Sequence, residues 1–239
     1  MALAEHLKQE LVVGLYDRGA EQPSSKRVLD IGSSKILKSG IWSPYLVNLR
    51  TALSVDTESA VPIDRQRRVI SLLVQAVGGE IDDLAKRHGF FHVYGPPEAG
   101  TPLASAVAGA NGHSLLWRRV VPKPGYGSHQ TLEGIYLPGQ QVVQVDDVVT
   151  TAGTKVEEAE FLRSNELNSI AVAIVFDREQ GGARAIAETG MDFGAALGAT
   201  AAFGYLLDAN RLTQSEHDYL VEYTNNPAPR SEPSDFPWK

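Results

Sequence analysis

The run Ile170-Ala171-Val172-Ala173-Ile174-Val175-Phe176 is apolar without a break. A strand with one wet face alternates apolar and polar residues, so a strand that does not alternate is covered on both faces. This demands helical layers on both sides of a sheet, and the flanking chain supplies them. Thr154 to Ser164 precedes the run as a helix with a Glu-rich face, and Ala183 to Thr189 follows it as a second helix. Phe193 to Leu197 reads as the next strand and Thr200 to Ala209 as the next helix. Strands separated by helices imply right-handed crossovers and a parallel sheet.

Upstream the rhythm is similar. Leu3, Leu7, Leu11 and Leu15 place a first helix that stops near Gly19. Short β-like runs follow at Arg27 to Ile31, Lys35 to Leu37 and Ser43 to Leu49, then an amphipathic helix over about Ile63 to Val77. Phe90 to Tyr94, Ser114 to Val121 and Gln141 to Val145 read as strands, and Pro102 to Ala110 as an Ala-rich helix closing at Asn111-Gly112. Pro122 to Gly139 has little periodicity. The expectation is an α/β fold with a central parallel sheet flanked by helices, in one domain over residues 1–225. Residues 226–239, which carry Pro227, Pro229, Pro233 and Pro237, read as an extended or disordered tail.

Composition narrows the function classes. The chain has 239 residues, a formal net charge of −7 and no Cys. Without Cys there is no disulfide framework, thiolate metal site or cysteine nucleophile. The acidic balance argues against non-specific nucleic-acid binding, which needs a basic footprint. The longest apolar stretch, Phe193 to Leu207, is too short and too rich in Ala, Gly and Thr for a membrane span. The start of the chain lacks a basic region followed by an apolar core, so a cytoplasmic globular protein is the expectation.

The segment Gln141 to Thr154 carries the chemistry. A strand candidate ends in Asp146-Asp147, a loop of hydroxyl and small residues follows, and a helix begins. In a parallel sheet this is the edge where ligands bind. Small residues let backbone N–H groups approach an anion, the helix adds the positive end of its dipole, and Thr150, Thr151 and Thr154 add hydroxyls. The carboxylates suit ligand hydroxyls. Phosphate and vicinal hydroxyls side by side suggest a ribose 5-phosphate. The plainer reading is an acidic strand end and a helix capped by Thr151 or Thr154.

This segment resembles the phosphoribosyl-pyrophosphate (PRPP) signature of type I phosphoribosyltransferases, and four further stretches resemble the orotate branch of that family. Leu37-Lys38-Ser39-Gly40 with Ser43-Pro44-Tyr45 matches a motif whose Lys reaches the pyrophosphate side of the ligand; Leu46-Val47 replaces an aromatic pair that walls the base. Tyr94 to Ala104 resembles the diphosphate loop, with Glu98-Ala99 where the family often has an aromatic and a Lys. Trp117 to Gly134 matches a basic strand end and a mobile loop through Arg118, Arg119, Lys123 and His129. Val172 to Gly182 matches a strand ending in Asp-Arg, whose Arg, here Arg178, meets the orotate carboxylate.

The resemblance implies a type I phosphoribosyltransferase fold, with a small N-terminal hood over residues 1–60 and a core over 61–225. It implies phosphoribosyl transfer from PRPP to orotate in a cytoplasmic homodimer, with no nucleic-acid or membrane partner. Residues 150–154 (Thr150, Thr151, Ala152, Gly153 and Thr154) would hold the 5-phosphate, and Asp146 and Asp147 the ribose hydroxyls. Lys123 and His129, with Arg118 and Arg119, would meet the diphosphate; Lys38 and Arg178 would address the diphosphate side and the base. Mg²⁺ would bind the diphosphate and ribose oxygens, so no dedicated His/Cys cage is expected. A transferase for another carboxylated base and a non-catalytic PRPP-sensing regulator are the alternatives. The first would keep Arg178 but need a different wall for the base; the retained cations and the net charge rank the regulator lower.

Overall fold

Two sheets organise the chain. β1 (Leu29–Ile36) and β2 (Trp42–Val47) form an antiparallel hairpin. The larger sheet contains β3 (His92–Gly95), β4 (Ser114–Arg118), β5 (Leu132–Glu133), β6 (Gln141–Val149), β7 (Asn168–Asp177) and β8 (Asp192–Gly198), in the order β5-β4-β3-β6-β7-β8. All its pairings are parallel except β4 with the short edge strand β5. The computed structural model describes residues 3–18, 27–37, 40–89, 91–119, 131–227, 236 and 238. The helices are α1 (Glu5–Asp17), α2 (Ile63–His88), α3 (Gly100–Asn111), α4 (Gly153–Ser164), α5 (Gly182–Glu188), α6 (Ala199–Asp208) and α7 (Gln214–Asn225). Among the described residues no helix is long and apolar enough to cross a membrane.

Strand β7 shows why its sequence does not alternate. Ala171, Ala173 and Val175 join one core cluster, with α2, α3 and α6, while Val172 and Ile174 join another, with Ala159 of α4 and Ile186 of α5. Both faces are dry.

Strand order places the site. From β3 the chain crosses through α3 to β4 on one side; from β6 it crosses through α4 to β7 on the other. Neighbouring parallel strands that send their connections in opposite directions open a crevice beyond their C-terminal ends, where ligands bind in such sheets. The turn 96–99 leaves β3 and the loop 150–152 leaves β6 at that crevice. The start of α3 is pressed against β6 at Gly100: a Cβ there would lie 2.7 Å from the Val145 carbonyl oxygen and 2.8 Å from Pro96. Only a residue without a side chain permits that approach.

Several boundaries differ from the sequence reading. α2 continues past Val77 to His88. Its glycine pair costs helix propensity, but Gly78 lets α3 come close, since a Cβ there would sit 2.9 Å from Asn111 Oδ1. The β-like runs at Arg27 to Ile31 and Lys35 to Leu37 are one strand, interrupted by a register shift between Ile31 and Lys35. β6 does not stop at Val145; it runs through both aspartates to Val149 because β7 pairs with it along that length. α7 was not anticipated, although Thr213 and Glu216 form the reciprocal capping box that marks its start. Most of the Pro-rich tail lies outside the described residues. Phe236 and Trp238, however, pack on the hairpin side: Phe236 is buried edge-on against Trp42, with ring centroids 5.3 Å apart.

Candidate active site

The extension of β6 decides what its two aspartates can do. Side chains alternate along a strand, so Asp146 and Asp147 leave on opposite faces. Asp146 follows Gln144 toward α4, where the Gln144 amide donates to the Lys155 carbonyl at 3.0 Å. There the Lys155 ammonium pairs with the Asp146 carboxylate, and both side chains are nearly closed to water, at 4% and 11% exposure. The backbone N–H of Asp147 also donates to Asp146 Oδ1 at 2.9 Å.

Asp147 follows Val143 and Val145 to the other face. It lines a cavity of about 170 Å³ together with Glu98 and Ala99 of the β3–α3 turn and an apolar floor that includes Leu73 and Leu103. Burial pushes its carboxyl up to about 6, the charge of Asp146 adds to the rise, and a 2.7 Å bond from the Val148 N–H partly opposes it.

Beyond the strand, residues 148–155 line a second, larger cavity of about 560 Å³, faced by Ile36, Leu37 and Leu46 of the hairpin region. Neither Thr151 nor Thr154 caps α4. Ala152 takes the N-cap place in a left-handed conformation (φ 64°), and no side chain accepts a bond from the first turn. A helix start without a side-chain cap, lined by threonines, presents donors and a positive dipole end to an anion.

At the end of β7, Arg178 is 2% exposed. Its guanidinium lies 3.9 Å over the Tyr45 ring, Nη2 donates to Ser43 Oγ at 2.7 Å, and Nε donates to Gln180 Oε1 at 3.3 Å. The Ser43 hydroxyl is oriented in turn by donating to the Tyr45 carbonyl at 2.6 Å. Among the described residues no carboxylate pairs with Arg178, and the buried Gln180 Nε2 has no acceptor. Taking a cation out of water without an anion costs several kcal/mol. A guanidinium and a spare amide donor side by side suit a planar carboxylate.

No known protein-family profile matches the chain. Individual proteins do. An orotate phosphoribosyltransferase of Caenorhabditis elegans is 30% identical over 191 residues, 80% of this chain and 78% of that one. An orotate phosphoribosyltransferase of Thermococcus gammatolerans is 33% identical over 158 residues, 66% of this chain and 76% of that one. The chain belongs to the orotate phosphoribosyltransferase family. The fold agrees: the structure of Leishmania donovani UMP synthase superposes with a TM-score of 0.69 at 24% identity, over 91% of this chain and 42% of that one.

For this family member, the sequence-derived positions fall into four groups, of which Asp146, buried against Lys155, is one by itself. Thr150, Thr151, Ala152, Gly153, Thr154, Asp147 and Arg178 lie on loops and strand ends at one edge of the sheet. Arg118 and Arg119 stand at the end of β4 and are already paired: Arg118 with Glu158 at 2.8 Å, stacked on Phe161, and Arg119 with Glu133 at 2.6 Å. Lys38, Lys123 and His129 lie outside the described residues. Lys155, Ser43 and Gln180 carry no role in the sequence motifs. Ser43 and Gln180 are within the matched motifs, but only the fold brings Ser43 to Arg178 across 135 positions.

Among the described residues no group of three or more His, Asp or Glu side chains is placed to hold a metal ion. The donors at the crevice are hard oxygens: the Asp147 and Glu98 carboxylates face one cavity. That set suits a Mg²⁺ ion that arrives with substrate oxygens and keeps its waters.

Proposed function

We propose that this chain transfers the 5-phosphoribosyl group from PRPP to orotate, releasing diphosphate and forming orotidine 5′-monophosphate. The observation that carries the reading is Arg178, a buried guanidinium with an unused amide donor beside it and no carboxylate partner among the described residues. It lies at the same sheet edge as a Thr-lined, side-chain-uncapped helix start. The first feature suits the orotate carboxylate and the second suits the 5-phosphate of PRPP.

The residues divide the work as follows. Amides and hydroxyls of residues 150–154 bind the 5-phosphate. Asp147 faces the ribose and stabilises the positive charge that develops as the bond from C1 to the diphosphate oxygen breaks. Arg178, held flat on Tyr45 and tethered to Ser43, orients the base so that its ring nitrogen meets C1. Lys38, Lys123 and His129, with Arg118 and Arg119, address the diphosphate. The arginines must exchange Glu158 and Glu133 for substrate oxygens. Mg²⁺ supplies charge neutralisation on the diphosphate when bound. Displacement at C1 needs no covalent enzyme intermediate; positioning and electrostatics carry it. A homodimer fits the exposed Trp117, Ile135 and Leu137 beside the β4–β5 edge.

The test is selective loss of base binding. Arg178→Ala should raise KM for orotate about 10- to 100-fold, the worth of a charge-assisted hydrogen-bonded pair. KM for PRPP should stay within about twofold, because Arg178 addresses only the base. Equal losses for both substrates would contradict the assignment.

A further inference from the structure

The cavity between Asp147 and the 96–99 turn has a charge problem. Two carboxylates, Asp147 and Glu98, line it, and on the transferase reading the ligand there is itself an anion whose charge one Mg²⁺ offsets only in part. Like charges gathered in a poorly solvated space repel strongly. Arg118 and Arg119 are committed to Glu158 and Glu133. Among the described residues lining the cavity, Arg50 is the one cation.

Arg50 is also held in place. It lies in a 3-10 turn, Leu49–Thr51, whose Leu49 is buried at 5% exposure. Arg18, just past the end of α1 and itself buried, gathers the carbonyls of this turn and of the residues that follow. Its Nη1 donates to Ala52 O at 2.6 Å, and its Nη2 donates to Thr51 O at 3.4 Å and to Ser54 O. One guanidinium thus ties down three backbone acceptors, a use of the rigid fork that a lysine could not reproduce. The turn presents Arg50 at the surface, and among the described residues Arg50 forms no ion pair or side-chain hydrogen bond. The charge of Arg18 is directed at the backbone; that of Arg50 is left to face the cavity.

We propose that Arg50 is a diphosphate-binding residue: its guanidinium contacts the leaving group of PRPP and offsets the Glu98 and Asp147 carboxylates beside it. Planar N–H pairs match phosphate oxygens bidentately. The inference rests on the transferase reading above and adds a residue that neither the motifs nor the comparisons assign.

Calorimetric titration of the full chain separates the possibilities. The ligands are inorganic diphosphate with Mg²⁺, PRPP with Mg²⁺, and ribose 5-phosphate. Arg50→Ala should weaken diphosphate and PRPP about 10- to 100-fold, as expected for losing a charged hydrogen-bonding group, and leave ribose 5-phosphate within about twofold. Arg50→Lys should recover part of the loss, since the charge returns without the fork. Unchanged diphosphate affinity in Arg50→Ala would overturn the inference and leave the transferase reading standing. So would an equal loss of ribose 5-phosphate, which is the mark of a disordered turn. A wild-type chain that binds neither PRPP nor diphosphate would overturn both.

Discussion

Lys155→Met should destabilise the protein by about 3–5 kcal/mol, the cost of leaving a buried carboxylate without its partner. The Lys155 ammonium and the Asp146 carboxylate meet inside the α4–β6 interface with little access to water. Met keeps much of the lysine stem's volume, so packing is preserved and the lost charge dominates. The loss should be largely reversed when Lys155→Met is combined with Asp146→Asn, where no uncompensated charge is left. The asparagine side-chain oxygen would still accept the Asp147 N–H. Urea unfolding of the wild type, both single variants and the double variant closes a thermodynamic cycle. A Lys155→Met cost below about 1 kcal/mol would show that the pair is solvated and contributes as little as an ordinary surface pair.

That pair also explains the roles of the two acids. Asp146 is satisfied from within: it holds a lysine on one oxygen and a backbone N–H on the other. The pair ties the start of α4 to the end of β6. Asp147 is left half-buried over a cavity, and its raised carboxyl records the energetic cost. Asp147→Asn should therefore lower kcat about 10²- to 10³-fold, the range for removing one group that stabilises transition-state charge, and should at the same time make the free protein more stable near neutral pH.

The sign follows from proton linkage. The folded Asp147 titrates at about 6, above its ordinary value of 3.8. Between those values the native state keeps a proton that the unfolded chain gives up, so stability falls as pH rises through this window. At roughly pH 7 the penalty is fully present, on the order of 1–3 kcal/mol; at roughly pH 3, where both states are protonated, it is absent. Denaturant unfolding of wild type and Asp147→Asn at those two pH values should show the variant more stable at the higher pH and equal at the lower. Equal stability at both would mean that Asp147 is as well solvated in the fold as in the unfolded chain. Mg²⁺ near the carboxylate, or the positive charge that develops on the ribose, would offset the penalty, an arrangement common where function requires local destabilisation.

Much of this was readable from residue order. The unbroken apolar run of β7, the Ala-rich α3 closing at Gly112 in a left-handed conformation, and the strand–loop–helix at Gln141 to Thr154 all appear in the structure close to their expected places. What could not be read was set by contacts distant in sequence. Pairing with β7 carries β6 past its apolar stretch through two charged residues, and only that extension sends Asp146 and Asp147 to opposite faces. Gly78 looks like a helix breaker until α3 is laid against it. The partners of Arg178 come from β2 and from the loop after β7, and Arg50 reaches the crevice from a turn stabilised by Arg18 at the other end of the hairpin segment. Local propensity identifies elements; it does not show which loops meet at a sheet edge.

The central claim is phosphoribosyl transfer to orotate, and a spectrophotometric turnover assay tests it most directly. The full chain is supplied with PRPP and Mg²⁺ and, in separate reactions, with orotate, uracil, hypoxanthine or adenine. Orotate should be consumed with release of diphosphate and the three bases without a carboxylate should not, because Arg178 and Gln180 would face nothing they can bind. Turnover of uracil, hypoxanthine or adenine in place of orotate, or PRPP binding with no turnover of any base, would contradict it.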